Sequence, residues 1–101
     1  MAIYQLDEET LVDSNRAVEE WKQDYVFEGT NLVSRATGSQ WRDETLYKSA
    51  QGRYWVEHYP RIDREIPYAY ELSKREAARW ILLNGGELPI DLQEYELEVI
   101  Q

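Results

Sequence analysis

The chain contains no cysteine. Disulfides, thiolate metal sites and thiol nucleophiles are therefore excluded, and nothing points to an oxidising compartment. A single histidine, His58, rules out a multi-histidine zinc centre. Prolines number three and glycines five, with no Pro/Gly-rich linker, low-complexity tract or internal repeat, so residues 1–101 read as one domain. Long apolar runs are missing too: Trp80-Ile81-Leu82-Leu83 falls far below the roughly 20 residues that span a bilayer. The opening Met1 to Glu9 turns acidic where a secretion signal would need a basic start, so no export is expected and the cytoplasm is the expected location.

Positive charge is scarce and unevenly placed. The net charge is −9. Residues 1–30 hold eight acids against two bases, residues 31–82 hold seven against nine, and residues 83–101 hold five acids and no base. Acidity of this size repels phosphate backbones, so direct nucleic-acid binding is not expected. The 43% apolar content, with four tryptophans and eight tyrosines, is that of a globular chain.

The expected fold class is α+β, a small antiparallel sheet of about three to four strands packed by two or three helices. A short strand near Ile3 to Leu6 precedes Asp13-Ser14, which are N-cap residue types. Ala17, Val18, Trp21 and Tyr25 then recur at helical spacing and predict an amphipathic helix over Arg16 to Tyr25. Thr30 to Thr37 reads as a weak strand. Thr45 to Lys48 and Arg53 to Tyr59 flank Ser49-Ala50-Gln51-Gly52 and predict a hairpin, with Tyr54, Val56 and His58 on one face and Arg53, Trp55, Glu57 and Tyr59 on the other. Ile66 to Leu72 predicts a third antiparallel strand. Ser73-Lys74-Arg75-Glu76 is a capping box, so a helix should run from there to about Asn84 and stop at Gly85-Gly86. From Pro89 to Gln101 helical and strand spacings compete, and the helical one is preferred.

Three segments resemble a small bacterial family of short, stand-alone proteins of uncharacterised function. They are Ser34 to Trp41 with its Ala36-Thr37-Gly38-Ser39-Gln40-Trp41 core, the hairpin from Leu46 to His58, and Glu76 through Leu88-Pro89. The resemblance runs from about Leu11 to Leu92. It implies one intact domain and brings no catalytic or ligand motif.

Catalytic chemistry is poorly signalled. Glu57 adjoins His58 in sequence but points to the other face of the strand, so it cannot orient the imidazole, and His58 reads as a structural or surface residue. Ser39 lacks the second glycine of a nucleophile elbow, and Ser14 and Ser73 read as caps. Gly85-Gly86 follows a helix, whose C-terminus repels phosphate. No enzymatic activity and no cofactor are expected.

Two functions of different classes remain. The first is a non-enzymatic binding or regulatory module working by protein contact, an inhibitor of a basic, nucleic-acid-handling partner. The acids Glu94, Glu96 and Glu98 would steer that partner, while Trp41, Arg42, Arg53 and Tyr59, from the one segment that is not acidic, would anchor it. Core is nevertheless the expectation for most of Trp41, Tyr47 and Trp55, and two or three large side chains left on the surface would suffice for a recognition patch. The alternative is a small-ligand or divalent-cation binder, with calcium held where the acidic N- and C-terminal segments come together.

Overall fold

The computed structural model describes residues 3–29, 31–39, 42–60 and 66–98. Its central feature is the hairpin expected around Gly52. Strand β6 (Arg42–Lys48) and strand β7 (Tyr54–Pro60) pair antiparallel from Lys48 opposite Tyr54 to Arg42 opposite Pro60. The turn closes through the Ser49 amide donating to the Arg53 carbonyl at 2.8 Å, with Gly52 at φ 83°. That left-handed conformation is the reason a glycine stands there. Strand β8 (Tyr68–Leu72) adds to β7, as expected, although it begins at Tyr68 rather than Ile66.

The fourth strand corrects the expectation of a first helix. Between Arg16 and Tyr25 the chain makes β3 (Glu19–Lys22), which pairs with the open edge of β6 and gives the order β3-β6-β7-β8. Asp13 does cap, accepting the Asn15 amide at 2.9 Å, but it starts only a three-residue 3-10 turn, Ser14–Arg16, ended by extended Ala17. A helix would have turned Ala17, Val18, Trp21 and Tyr25 onto one core. The ladder to β6 instead satisfies a row of backbone groups, while Trp21 opposite Leu46 still packs on the core and Val18 stays exposed. Asn84 fixes the arrangement. Its Oδ1 accepts the Asp24 amide at 2.6 Å and its Nδ2 donates to the Lys22 carbonyl at 3.0 Å.

Two small ribbons complete the β structure. Strands β1 (Ile3–Gln5) and β2 (Leu11–Asp13) form one, and β4 (Tyr25–Glu28) and β5 (Asn31–Ser34) form the other. The expected strand over 30–37 is thus the shorter β5.

Helix α1 (Lys74–Leu83) starts at the expected capping box: Ser73 Oγ accepts the Glu76 amide at 3.1 Å and Glu76 accepts the Ser73 amide at 2.9 Å. It buries Ala77, Ala78, Trp80 and Ile81 against Leu46, Tyr54 and Val56 of the sheet. Leu88 and Leu92 close that core from the tail, which is helical from Ile90 to Glu98 but wound as a 3-10 helix. Among the described residues, one α-helix and two 3-10 segments therefore stand where two or three helices were expected. Both sheet faces are covered at β7, so Tyr54 to His58 are all buried. No helix among the described residues is long and apolar enough to cross a membrane.

Gly85 ends α1 at φ 84°, and a Cβ built on it would overlap the Arg35 guanidinium that pairs with Asp24. Gly85→Ala is expected to cost about 1 kcal/mol or more from backbone strain alone, and Ser73→Ala about 1 kcal/mol from the lost cap. Denaturant unfolding checks both, and unchanged midpoints would contradict these two roles.

Candidate functional site

On the helix-facing side of the sheet, polar groups converge on Glu44. It stands opposite His58 in the β6–β7 register, so the two side chains share a face. Glu44 Oε2 lies 3.0 Å from His58 Nδ1 and accepts the Tyr70 hydroxyl at 2.7 Å, while Oε1 accepts the Trp80 indole N–H at 2.9 Å. His58 is 4% exposed and stacked on the Tyr68 ring at 4.8 Å. The partner that orients His58 is thus Glu44 on the neighbouring strand, and not Glu57. The hairpin read from the sequence, with 48 against 53 across a four-residue turn, sets 44 across from 57; the turn in fact spans residues 49–53 and is centred on Gln51, and that shift places 44 across from 58. A carboxylate-oriented imidazole is the raw material of general-base catalysis, but here a tyrosine ring covers it. What the cluster does is hold α1 to three strands.

Near the β3–β4 bend a second polar group gathers. Gln23 donates to Asp43 and accepts from the Ser34 hydroxyl and the Glu44 amide, both at 2.9 Å, and Tyr25 donates to Asp43 at 2.7 Å. These bonds set the base of the β4–β5 ribbon. Beyond its base, the ribbon has little contact with any other element. Phe27 and Leu32 are register partners on one face of it, and both are exposed, Phe27 by 76%. Val26, on the other face, is exposed as well. This projecting apolar arm was missed because its first strand fell at the end of the supposed helix. The signal was present, as Tyr25-Val26-Phe27-Glu28 and Asn31-Leu32-Val33-Ser34 flank Gly29-Thr30 as a tight hairpin.

Of the residues expected to bind a partner, those whose side chains are described lie on different elements. Trp41 lies outside the described residues. Arg42 opens β6 opposite Pro60, and Glu98 ends the C-terminal 3-10 segment. Arg53 is engaged within the molecule. Its Nε and terminal nitrogen meet the two Glu71 oxygens at 2.7 and 2.6 Å, and it also lies 3.7 Å from Asp7 and 3.4 Å from Thr10 Oγ1. It thereby clips the β1–β2 ribbon to the sheet. Tyr59 is partly exposed, while burial and the neighbouring Glu57 raise its hydroxyl above the usual range. Glu94 and Glu96 are exposed on the 3-10 segment, which packs with α1. The N-terminal ribbon places Asp7 and Thr10 beside Arg53, whereas the C-terminal 3-10 segment packs with α1. Among the described residues no group of three or more acids or histidines is placed to hold a metal.

One open groove, about 790 Å3, runs between the β1–β2 ribbon and the β6–β7 turn, lined by Leu6, Leu11, Val12, Ala17, Arg16 and Trp55 among others. Compared with protein-family models, with curated proteins and with solved structures, the chain matches none.

Removing the Glu44 carboxylate would strand the Trp80 and His58 donors in the core. Glu44→Ala is expected to lower stability by about 2–4 kcal/mol, read by chemical unfolding, and a change under about 1 kcal/mol would contradict the pinning role. The Arg53 clip sets a pH dependence. Its hydrogen bonds hold Glu71 below the ordinary carboxylate value of 4.5, so the clip's stabilisation is present above that pH and drains away as pH falls through the lower folded value. Arg53→Gln is expected to flatten the acid limb of a melting-temperature profile below about pH 4.5, and an unchanged limb would refute the linkage.

Proposed function

We propose that this protein is an acidic binding module that works by protein contact, anchoring a basic partner on the β4–β5 arm. The observation behind this reading is Phe27, 76% exposed beside Leu32 on a hairpin with little other packing. Large apolar side chains left in water on a projecting element mark an interaction surface, whereas a lone exposed residue would not. The acids supply the rest. Glu19, Glu20, Asp24 and Glu28 are exposed along β3, β4 and the bend between them. Exposed charges contribute about 0.2–1 kcal/mol each, which speeds encounter with a positive surface without fixing a complex, so an apolar anchor is required. The reading extends to a partner whose positive groove otherwise holds DNA or RNA, with the acids occupying that groove in its place.

A second reading, a binder of a small ligand, draws on the open groove of about 790 Å3 beside Trp55, whose size falls in the range of small-molecule sites. It has no convergent polar constellation behind it and ranks second.

Immobilised protein should retain a basic partner at low salt and release it on addition of DNA or RNA. Phe27→Ser combined with Leu32→Ser should leave unfolding within about 0.5 kcal/mol per substitution yet abolish that retention. Neutralising Glu94, Glu96 and Glu98 together should slow association, while the arm substitutions should mainly speed dissociation. Equal retention by the arm variant would sink the anchor assignment.

A further inference from the structure

On the sheet face opposite α1, Glu57 sits in the middle of β7, opposite Thr45 of β6 and Ala69 of β8. It is 3% exposed, and its Oε2 is buried with no hydrogen-bond partner. Oε1 receives a long bond, 3.4 Å, from the Tyr47 hydroxyl. None of the ion pairs among the described residues includes Glu57. A carboxylate so deeply buried and without a cation is costly, and a protein ordinarily answers that cost with a lysine or arginine.

What surrounds it here is aromatic. Tyr47 stacks on Trp55 with ring centroids 4.5 Å apart. Tyr4 of β1 and Tyr59 of β7 bring their hydroxyls to the same carboxylate, and burial together with that carboxylate's bonding and charge raises both above the usual tyrosine range. Burial and the charge of Glu57 push Tyr47 up to about 12. The tyrosines therefore stay neutral and offer a hydroxyl dipole each, but no compensating charge. The nearest cation along the strand, Arg53, is already committed to Glu71 and Asp7.

From this arrangement we infer that Glu57, with Tyr4, Tyr47, Trp55 and Tyr59, is a site for an alkylammonium group, the head of a lysine side chain of the basic partner. A buried carboxylate with a free oxygen, set among hydroxyl oxygens and beside an aromatic pair, offers an ammonium ion the charge and the acceptors it needs. The choice of a lysine rests on the reading of the protein as a module for basic partners. Entry requires Tyr4 to lift. It belongs to a two-stranded ribbon of three-residue strands, an element that is marginal by itself, and Ile3 and Leu11 on it already face solvent. The groove beneath that ribbon borders Trp55 and can take the aliphatic stem.

The test titrates the intact protein with n-butylammonium chloride, against sodium chloride at equal ionic strength and against n-butanol, the neutral counterpart. Tryptophan fluorescence and amide shifts of β7 are the readouts. The expected result is a saturable response in the millimolar range to the ammonium ion alone, about tenfold weaker in Tyr59→Ala and in Glu57→Gln. A response that sodium chloride or butanol reproduces, or one that is unchanged in both variants, overturns the site; the butanol comparison needs no variant and holds even if Glu57→Gln fails to fold. A lysine-bearing peptide should bind at least as well as butylammonium, and one with its lysine acetylated should not; the reverse order overturns the assignment to lysine. Phe27→Ser with Leu32→Ser should bind butylammonium like the unaltered protein. Failure of the ammonium site with arm-dependent partner retention intact would therefore leave the protein-contact reading standing, and the opposite pattern would leave the site standing without the arm.

Discussion

The carboxylate of Glu44 is the interaction on which the rest of the structure depends. One side chain on β6 receives a donor from β7, another from β8 and a third from α1. A helix packed on a sheet by apolar contact alone can slide, because dispersion and burial are insensitive to small translations. Directional bonds in a low-dielectric interior are sensitive, and they fix the rotation of Trp80 and with it the seat of Ile81 and Ala77 on Leu46 and Val56. Asn84 repeats the device at the other end of the helix, holding it to the β3–β4 bend.

The two faces of β7 contrast sharply. The face toward α1 has a carboxylate whose two oxygens are both satisfied. The face toward the β1–β2 ribbon has Glu57, whose outer oxygen has no partner and whose neighbours are neutral rings. A strand with such opposed environments gives one face to holding the fold together, and leaves on the other a polar group that folding alone does not use.

Much of the central sheet was legible from local chemistry. The glycine of the β6–β7 turn, the alternation along β7 and the capping box at Ser73 are short-range features, and each specified its element within a few residues. Residues 16–25 were not legible in this way. Ala17, Val18, Trp21 and Tyr25 suit a helix and a strand almost equally, and what decides between them is the open edge of β6, more than twenty residues away in sequence. The same error hid the arm, because a helix ending at Tyr25 leaves Val26 and Phe27 without an element. Of the expected partner residues, Arg53 had a visible charge, but its pairing with Glu71 was not legible, because Glu71 comes beside it only through the β7–β8 register. The Glu44–His58 pair was hidden by a single residue: counted outward from a four-residue turn, Glu44 falls opposite Glu57, and only the five-residue turn closed by Ser49 and Arg53 sets it opposite His58.

Among the described residues, nearly every strand pairing joins neighbours in the chain. The β1–β2, β4–β5, β6–β7 and β7–β8 ladders each close a short loop, and α1 follows directly on β8. The exception is β3 with β6, whose innermost pair, Lys22 with Thr45, encloses the whole β4–β5 arm. Loop-closure entropy grows with the logarithm of length, so this pairing costs about 1 kcal/mol more to initiate than the Ser49–Gly52 turn does. The chain can therefore assemble β6, β7, β8 and α1 as a nucleus from contiguous sequence, with β3 zipping on afterwards. The length of the arm then becomes a kinetic variable: residues added between β4 and β5 would delay the last strand while leaving the nucleus untouched.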